Sequence, residues 1–261
     1  MNTRTRRRIT VVFHDKPQSQ RLLELGARIA SQLQAELEGV FIEDVALCRL
    51  AGLPFLRELK RDSFTEERLD AERLRKEWRT MAKMAREALE SSATSAGLDW
   101  SFRVWRGEFE NDLPNLALES QMLLLGRLAT PTPSRFSAKR GPAHTGPLKL
   151  GVILDSDAAM EKLLEAAGDL SRKPEIQLIL FLTPDVKEDK SGSFEQRLKE
   201  NDPQHYNILV QVQDRDPATL IASLKAAACD LLMISATSEL LRGQSMKRRL
   251  SELPYPVVVV R

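Results

Sequence analysis

Two polar residues that could carry chemistry each stand at the end of a short apolar run. Asp155 follows LKLGVIL, and His14 follows ITVVF. The carboxylate of Asp155 could hold a ligand, or it could simply cap the helix predicted behind it. His14 could act as an acid or a base near neutral pH, but a lone histidine without a partnered carboxylate and nucleophile is a poor catalyst.

A second candidate group lies near the end of the chain, where Gly243 and Ser245 precede the basic run Lys247, Arg248 and Arg249. Glycine lets backbone N–H groups approach a phosphate, and the basic side chains could meet its charge. The same residues could be a loop glycine, a helix N-cap and the solvated surface of a short helix. No GxxxxGK[ST], GxSxG or HExxH motif occurs, and no GxGxxG follows either opening strand, so the motifs give enzymatic activity no support.

The composition is that of a globular protein with packed cores, since 42% of the 261 residues are hydrophobic. Lys plus Arg (39) and Asp plus Glu (37) nearly cancel to a net charge of +2, which argues against a nucleic-acid partner. Cys48 and Cys229 have no second Cys or His at metal-ligand spacing, so we expect reduced thiols and no metal. No apolar run reaches the roughly 20 residues of a membrane span, and no signal-type segment is visible. We therefore expect a cytoplasmic protein without a membrane partner.

Strand and helix patterns alternate along the chain, and the alternation occurs twice. Apolar, β-branched runs predict strands, and apolar residues at helical spacing predict the helices between them. In the second half the predicted strands cover 150–154, 176–182, 208–212, 231–234 and 257–260. This pattern predicts an α/β fold of two tandem, doubly wound parallel-sheet domains, with ligands at the carboxyl ends of the strands. The first repeat lacks a clear closing helix and strand.

The segment from Asp44 to Lys60, called here the apolar segment, departs from the simple alternation. It is rich in leucine and interrupted by a glycine and a proline, which predicts two short helical pieces. The segment could cap the sheet or dock a partner protein. Exposed Leu50, Leu53 and Phe55 would favour docking, whereas burial would favour the cap.

A long helix is predicted next, and a linker later divides the chain. Ser63 and Glu66 form a capping-box pattern at the predicted start of the helix, and Gly97 ends it. Residues 127–147 are rich in Pro, Thr, Ser and Gly with little periodicity, as in a linker. The predicted organisation is a first domain at 1–130, a linker at 131–147 and a second domain at 148–261.

The second half resembles the universal stress protein family. LGVILDSDAAMEKLLEAA is similar to the opening strand, polar turn and first helix of that family. VQVQDRDPATLIASLKAAACDLLMIS resembles its third strand, helix and fourth strand, and GQSMKRRLSELPYPVVVVR its closing helix, Pro-x-Pro and valine strand. The first half resembles the same plan more loosely, in ITVVFHDKPQSQRLLELGARIASQLQAELEGVFIED and FRVWRGEFENDLPNLALESQMLLLG. The chain is thus identified as a tandem member with an eroded first repeat.

The resemblance implies a nucleotide site whose phosphate loop is degenerate. Nucleotide-binding members carry a glycine motif after the fourth strand, where Ser235 takes the place of the first glycine and the second is absent. Gly243, with Ser245 behind it, keeps the place of the last glycine. Asp155 corresponds to the acidic residue that helps hold the nucleoside, and Leu182 to the position whose backbone meets adenine.

In the first half, the same resemblance puts His14 or Asp15 at the acidic position, Phe41 at the adenine-facing one and Gly126 at the first glycine. No later glycines follow at the required spacing. Neither half therefore has a full phosphate loop.

The resemblance leads us to expect a non-catalytic stress-response or regulatory protein with weak or no nucleotide binding. Two alternatives stay open: an adenine-nucleotide (ATP or AMP) binder with at most slow hydrolysis, and a protein–protein interaction module. Family members commonly pair through their terminal valine strands. Since the first repeat lacks its copy of that strand, we expect Val257 to Val260 to form an open edge that pairs with a second molecule in a homodimer.

Overall fold

The structure is a computed structural model, and it divides into two compact units, Met1–Leu116 and Ala117–Arg261. The residues that it describes are 7–14, 20–53, 55–59, 65–68, 70–126, 148–171, 176–183, 206–211, 217–227, 229–238, 241, 253 and 255–261. The linker expected at 131–147 lies outside these ranges, so the predicted domain boundaries remain predictions.

The first unit is built on a parallel sheet of three strands in the order β5-β2-β1. Its elements are β1 (Arg8–Phe13), α1 (Gln20–Leu33), β2 (Glu36–Asp44), α2 (Val45–Ala51), β3 (Arg57–Leu59), β4 (Glu66–Arg68), α3 (Ala71–Ser95), β5 (Trp100–Gly107) and most of α4 (Phe109–Glu119). Helices α1 and α3 pack against each other and against the sheet. Strand β1 is buried along nearly its whole length, which agrees with its nearly continuous apolar sequence.

Two predictions for this unit are wrong in detail. The apolar segment contains one helix, α2, capped by Asp44, whose side chain accepts a hydrogen bond from the N–H of Leu47. Its second piece is not helical, because β3 pairs with β4 as an antiparallel ribbon. The long helix therefore starts after this ribbon, with Asp70 as the N-cap rather than Ser63. Its last residue is Ser95, and Gly97, two residues further on, has a φ of +64°, which suits glycine. Ser63 itself lies outside the described residues.

The second unit contains a larger sheet, in the order β6-β11-β10-β7-β8-β9. Its elements are β6 (Met122–Leu125), β7 (Leu148–Leu154), α5 (Asp157–Ser171), β8 (Ile176–Leu182), β9 (Tyr206–Gln211), α6 (Pro217–Ala227), β10 (Leu231–Ser235) and β11 (Val257–Val260). All strand pairs here are parallel except β6 with β11. The predicted α/β fold with a mostly parallel sheet is confirmed.

Strand β11 is not an open edge, and that prediction is wrong. Val257 to Val260 pair with β10 on one side and, antiparallel, with Leu125 to Met122 of β6 on the other. All four valines are buried. The closing strand thus finds its second neighbour in its own chain, so it offers no unpaired backbone to a partner.

The opening strands of the two units share one register. In both units each residue of the first strand pairs with the residue 28 positions further along, as Thr10 does with Glu38 and Gly151 does with Ile179. The next strand of the sheet, β5 in the first unit and β9 in the second, pairs with the second strand on the side away from the first. Among the described residues, no helix combines the length and the apolar character that crossing a membrane requires.

Candidate functional site

The strand order of the second unit reverses between β7 and β10. Strands β8 and β9 continue the sheet on one side of β7, whereas β10 and β11 continue it on the other. In open α/β sheets, ligands bind outside the carboxyl ends of the strands at such a reversal, because the loops diverge and leave a crevice. Asp155 directly follows β7 and Ser235 ends β10, so the fold places both predicted residues at this point.

The turn that follows β10 is closed by hydrogen bonds of its own. The N–H of Thr237 donates to the hydroxyl of Ser235 at 3.1 Å, and the N–H of Ser238 donates to the carbonyl of Ser235 at 3.0 Å. The N–H of Ala236 donates to the carbonyl of Val260 at 2.7 Å. Three consecutive backbone N–H groups at this turn are therefore already bonded within the chain.

This arrangement gives each of these three N–H groups an acceptor within the chain. A phosphate is held when successive N–H groups of a loop point at its oxygens without other acceptors. The Ser235 hydroxyl accepts the hydrogen bond of the Thr237 N–H, and the hydroxyl oxygens of Ser235 and Thr237 lie 2.9 Å apart. A glycine at this position would leave the N–H of Thr237 without that acceptor. The serine at position 235 thus limits which N–H groups of the turn are available to a ligand.

Strand β8 contributes main chain rather than a side chain to the same end of the sheet. Leu182 is buried and pairs with Leu154 on one side and Gln211 on the other. Thr183, which follows it, donates to the carbonyl of Leu154 from its N–H at 3.1 Å and from its hydroxyl at 3.3 Å. Sequence reasoning missed Thr183 and Thr237; their signal is that a hydroxyl residue follows β8 directly and another follows β10 after one residue.

The remaining predicted residues of this site, Gly243 and Ser245, lie outside the described part of the chain. The basic run behind them does too. The site that the structure defines therefore consists of Asp155, the main chain of Leu182 and the Ser235 turn.

In the first unit, the predicted positions are occupied by aromatic groups. His14 follows β1, is buried, and packs its ring 4.9 Å from that of Phe109 at an angle of 58°. Phe41 is fully buried, and it pairs with Phe13 on one side and Val104 on the other. Gly126 follows β6 and belongs to the second unit. The first unit thus carries no acidic residue at the equivalent of Asp155 among those described.

A buried charged group in the first unit was missed. Glu38 on β2 is 4% exposed; its carboxylate accepts a hydrogen bond from Thr10 at 2.9 Å. Arg8 Nη1 and Arg103 Nε lie 3.6 and 3.1 Å from the same carboxylate. The guanidinium of Arg103 also lies 5.1 Å from the ring of Trp105. The alternation of Glu36, Leu37 and Glu38 at the start of β2 was the available signal.

Cys229 and Tyr255 form a buried titratable pair in the second unit. Burial raises the pKa of the Cys229 thiol to about 11, and the negative charge of Asp230 adds to the shift. Burial also raises the pKa of Tyr255 above its usual range, and its hydroxyl donates to the carbonyl of Leu224. A thiol held protonated by burial is a structural group rather than a nucleophile. Among the described residues no group of three or more His, Cys, Asp or Glu side chains could hold a metal ion.

The apolar segment presents its large side chains to solvent. Leu50 is 47% exposed, Leu53 37% and Phe55 76%. The backbone turns after α2, with the N–H of Leu53 donating to the carbonyl of Leu50 at 3.0 Å. These three side chains therefore do not cover the sheet, whereas α2 itself contacts α3 and β5.

Comparison with solved structures places this fold among those of universal stress proteins. A universal stress protein from Archaeoglobus fulgidus DSM 4304 matches over 97% of this chain and 96% of that chain, with a TM-score of 0.57 and 10% sequence identity. A functionally unknown protein from Pseudomonas aeruginosa PAO1 matches over 97% of this chain and 92% of that chain, at a TM-score of 0.48 and 13% identity. The first match establishes the fold alone, and the second is too distant to carry an argument. No family profile and no curated protein matches the sequence.

Proposed function

We propose that the protein is a non-catalytic regulatory protein of the universal stress protein type, with weak or no nucleotide binding. The similarity of the fold to that of a universal stress protein supports this type of protein. The bonded N–H groups of Ala236, Thr237 and Ser238 support the weak binding, because a phosphate would have to replace existing hydrogen bonds.

Nucleotide binding by the second unit is the alternative, and it rests on Asp155 at the strand reversal. A carboxylate there could accept hydrogen bonds from the hydroxyls of a ribose. Binding of this kind would recognise the nucleoside more than its phosphates. ATP, AMP and adenosine would then bind with similar affinities, at most with slow hydrolysis of ATP.

Thermal unfolding with millimolar ATP, AMP or adenosine separates these functions. A ligand that binds the folded protein alone raises its stability by about 2.7 kcal/mol at one hundred times its dissociation constant. We expect no rise with any of the three ligands. An equal rise with ATP and adenosine that is lost in Asp155→Ala would support the alternative. A rise in stability with ATP alone would contradict the proposal that the N–H groups of the turn after β10 are not available to a phosphate.

The turn itself can be tested with Ser235→Gly, which removes the hydroxyl that holds the N–H of Thr237. We expect ATP to stabilise this variant more than it stabilises the parent protein. Ser238→Gly is the matched control, because its substitution leaves the Ser235 hydroxyl in place. An equal response of both variants would count against the role given to Ser235.

A second candidate function is docking of a protein partner through Leu50, Leu53 and Phe55, whose exposure favours it. Phe55→Asp should abolish the enrichment of a partner in quantitative pull-downs from the source cells. Met84→Asp is the matched control, because Met84 is similarly exposed, at 54%, on α3. Loss of the same partner with both variants, or with neither, would remove support for this surface.

A further inference from the structure

Strand β5 is the edge of the first unit's sheet. Its eight residues pair with Leu37 to Asp44 of β2 without a register shift, and β2 is the one strand paired with it in the described chain. The carbonyl of Asp99, just before β5, accepts from the N–H of Leu37. Backbone groups alternate along a strand, so those of Trp100, Phe102, Val104 and Arg106 point away from β2.

This edge lacks the features that usually prevent strand pairing. Proteins protect such edges with proline, bulges, or charged side chains directed at an incoming strand. Strand β5 has no proline and no bulge, and its two arginines are engaged by carboxylates of β2, Arg103 by Glu38 and Arg106 by Glu43 at 2.9 Å. Val104, in the middle of the edge, is 45% exposed.

We propose that β5 pairs antiparallel with β5 of a second copy of this chain, about a two-fold axis at Val104. Antiparallel pairing of identical strands requires that each residue find a compatible partner in the reversed sequence. Centred on Val104, the register sets the two valines opposite each other and Arg106 opposite Phe102 of the partner subunit. A register centred on Arg103 would set two arginines opposite each other and is disfavoured.

The same register reproduces a contact already present within one chain. Arg103 would lie opposite Trp105 of the partner subunit, in a non-hydrogen-bonded pair whose side chains approach closely. Within one chain the Arg103 guanidinium already lies 5.1 Å from the Trp105 ring. The outward backbone groups of Phe102, Val104 and Arg106 would supply about six main-chain hydrogen bonds across the interface. The second copy therefore fits both the backbone and the side chains of this edge.

Sedimentation velocity from low to high micromolar concentration tests the pairing. The parent chain should shift from monomer to dimer with rising concentration. Val104→Pro should weaken the dimer at least about tenfold, which corresponds to about 1.4 kcal/mol. Since the N–H of Val104 points away from β2, proline there removes no hydrogen bond of the sheet, and the circular dichroism of the monomer should be unchanged.

Val104→Lys provides a second test that does not depend on how well proline is tolerated, because a lysine at an edge repels its own copy. Leu118→Lys is the matched control: Leu118 is exposed at 55% on α4, and this variant should dimerise like the parent chain. A parent chain that stays monomeric at the highest concentration would overturn the proposal. A dimer unaffected by both Val104 variants, or equally weakened by Leu118→Lys, would do so as well.

Discussion

The two units use the same opening strands in the same register but place different chemistry on them. Three positions before the last paired residue, the first unit has Thr10 opposite Glu38, and the second has Gly151 opposite Ile179. At the strand end the first has His14 and the second Asp155. The strand framework thus tolerates a buried ion cluster in one unit and an apolar core in the other, because backbone pairing sets the register independently of these side chains.

The largest expected effect comes from moving the charge of the first unit into the second. Ile179→Glu places a carboxylate at a fully buried position that pairs with Gly151 and Ile208, and we expect it to lower the free energy of unfolding by about 4 kcal/mol or more. Urea denaturation measures this loss. Gln177→Glu is the matched control on the same face, since Gln177 is half-buried at the strand start, and it should be nearly neutral. An equal loss in the free energy of unfolding for Ile179→Glu and Gln177→Glu would contradict the view that position 179 requires an apolar side chain.

The reverse change in the first unit should cost less. Glu38→Ile removes the carboxylate that Arg8 and Arg103 share, but their side chains are 38% and 34% exposed, so part of each guanidinium can still reach water. We expect a loss of about 2 kcal/mol in the same denaturation experiment. An unchanged stability would mean that the ion cluster does not stabilise the first unit.

The buried thiol of the second unit should make stability depend on alkaline pH. The pKa of Cys229 is about 11 in the folded protein against 9.0 ordinarily, so the unfolded chain loses this proton first. Stability should be intact below pH 9 and fall by about 2 kcal/mol between pH 9 and 11 from this group. The loss should be smaller in Cys229→Ala, and identical pH profiles for the two proteins would contradict the assignment.

The smallest expected effect concerns Gly151, which holds in the second unit the strand position that Thr10 holds in the first. A Cβ at Gly151 would lie 2.8 Å from the sulfur of Cys229 and 3.2 Å from Leu232. Gly151→Ala should therefore cost about 1 kcal/mol. In the Cys229→Ala background the same change should cost less, because the closest atom is gone. Strictly additive costs in the double variant would show that the two sites do not contact each other.

Sequence patterns identified the strands well where both faces of a strand are buried. Continuous apolar runs mark β6, β7 and β11, and the helical spacing of Leu220, Ile221 and Leu224 marks the buried stripe of α6. The β3–β4 ribbon was missed because three-residue strands carry no periodicity. The pairing of β11 with β6 was missed because it joins segments more than one hundred residues apart, and local patterns do not encode such contacts.

The placement of Asp155 and Ser235 at the ends of two strands was predictable from the sequence, but their hydrogen bonding was not. The apolar runs that end before Asp155 and at Ser235 were visible in the sequence. That the Ser235 hydroxyl would itself occupy an N–H of the turn depends on backbone geometry. The exposure of Phe55 likewise depends on how the chain turns after α2, so the sequence left docking and capping both open.

Native mass spectrometry of the protein purified without added nucleotide tests the central claim most directly. The account predicts a mass equal to that of the chain, or of two chains at higher concentration, with no bound nucleotide. A co-purified ATP or AMP at one per chain would contradict the claim that the protein binds nucleotides weakly or not at all, and its loss in Asp155→Ala would assign that binding to the end of β7.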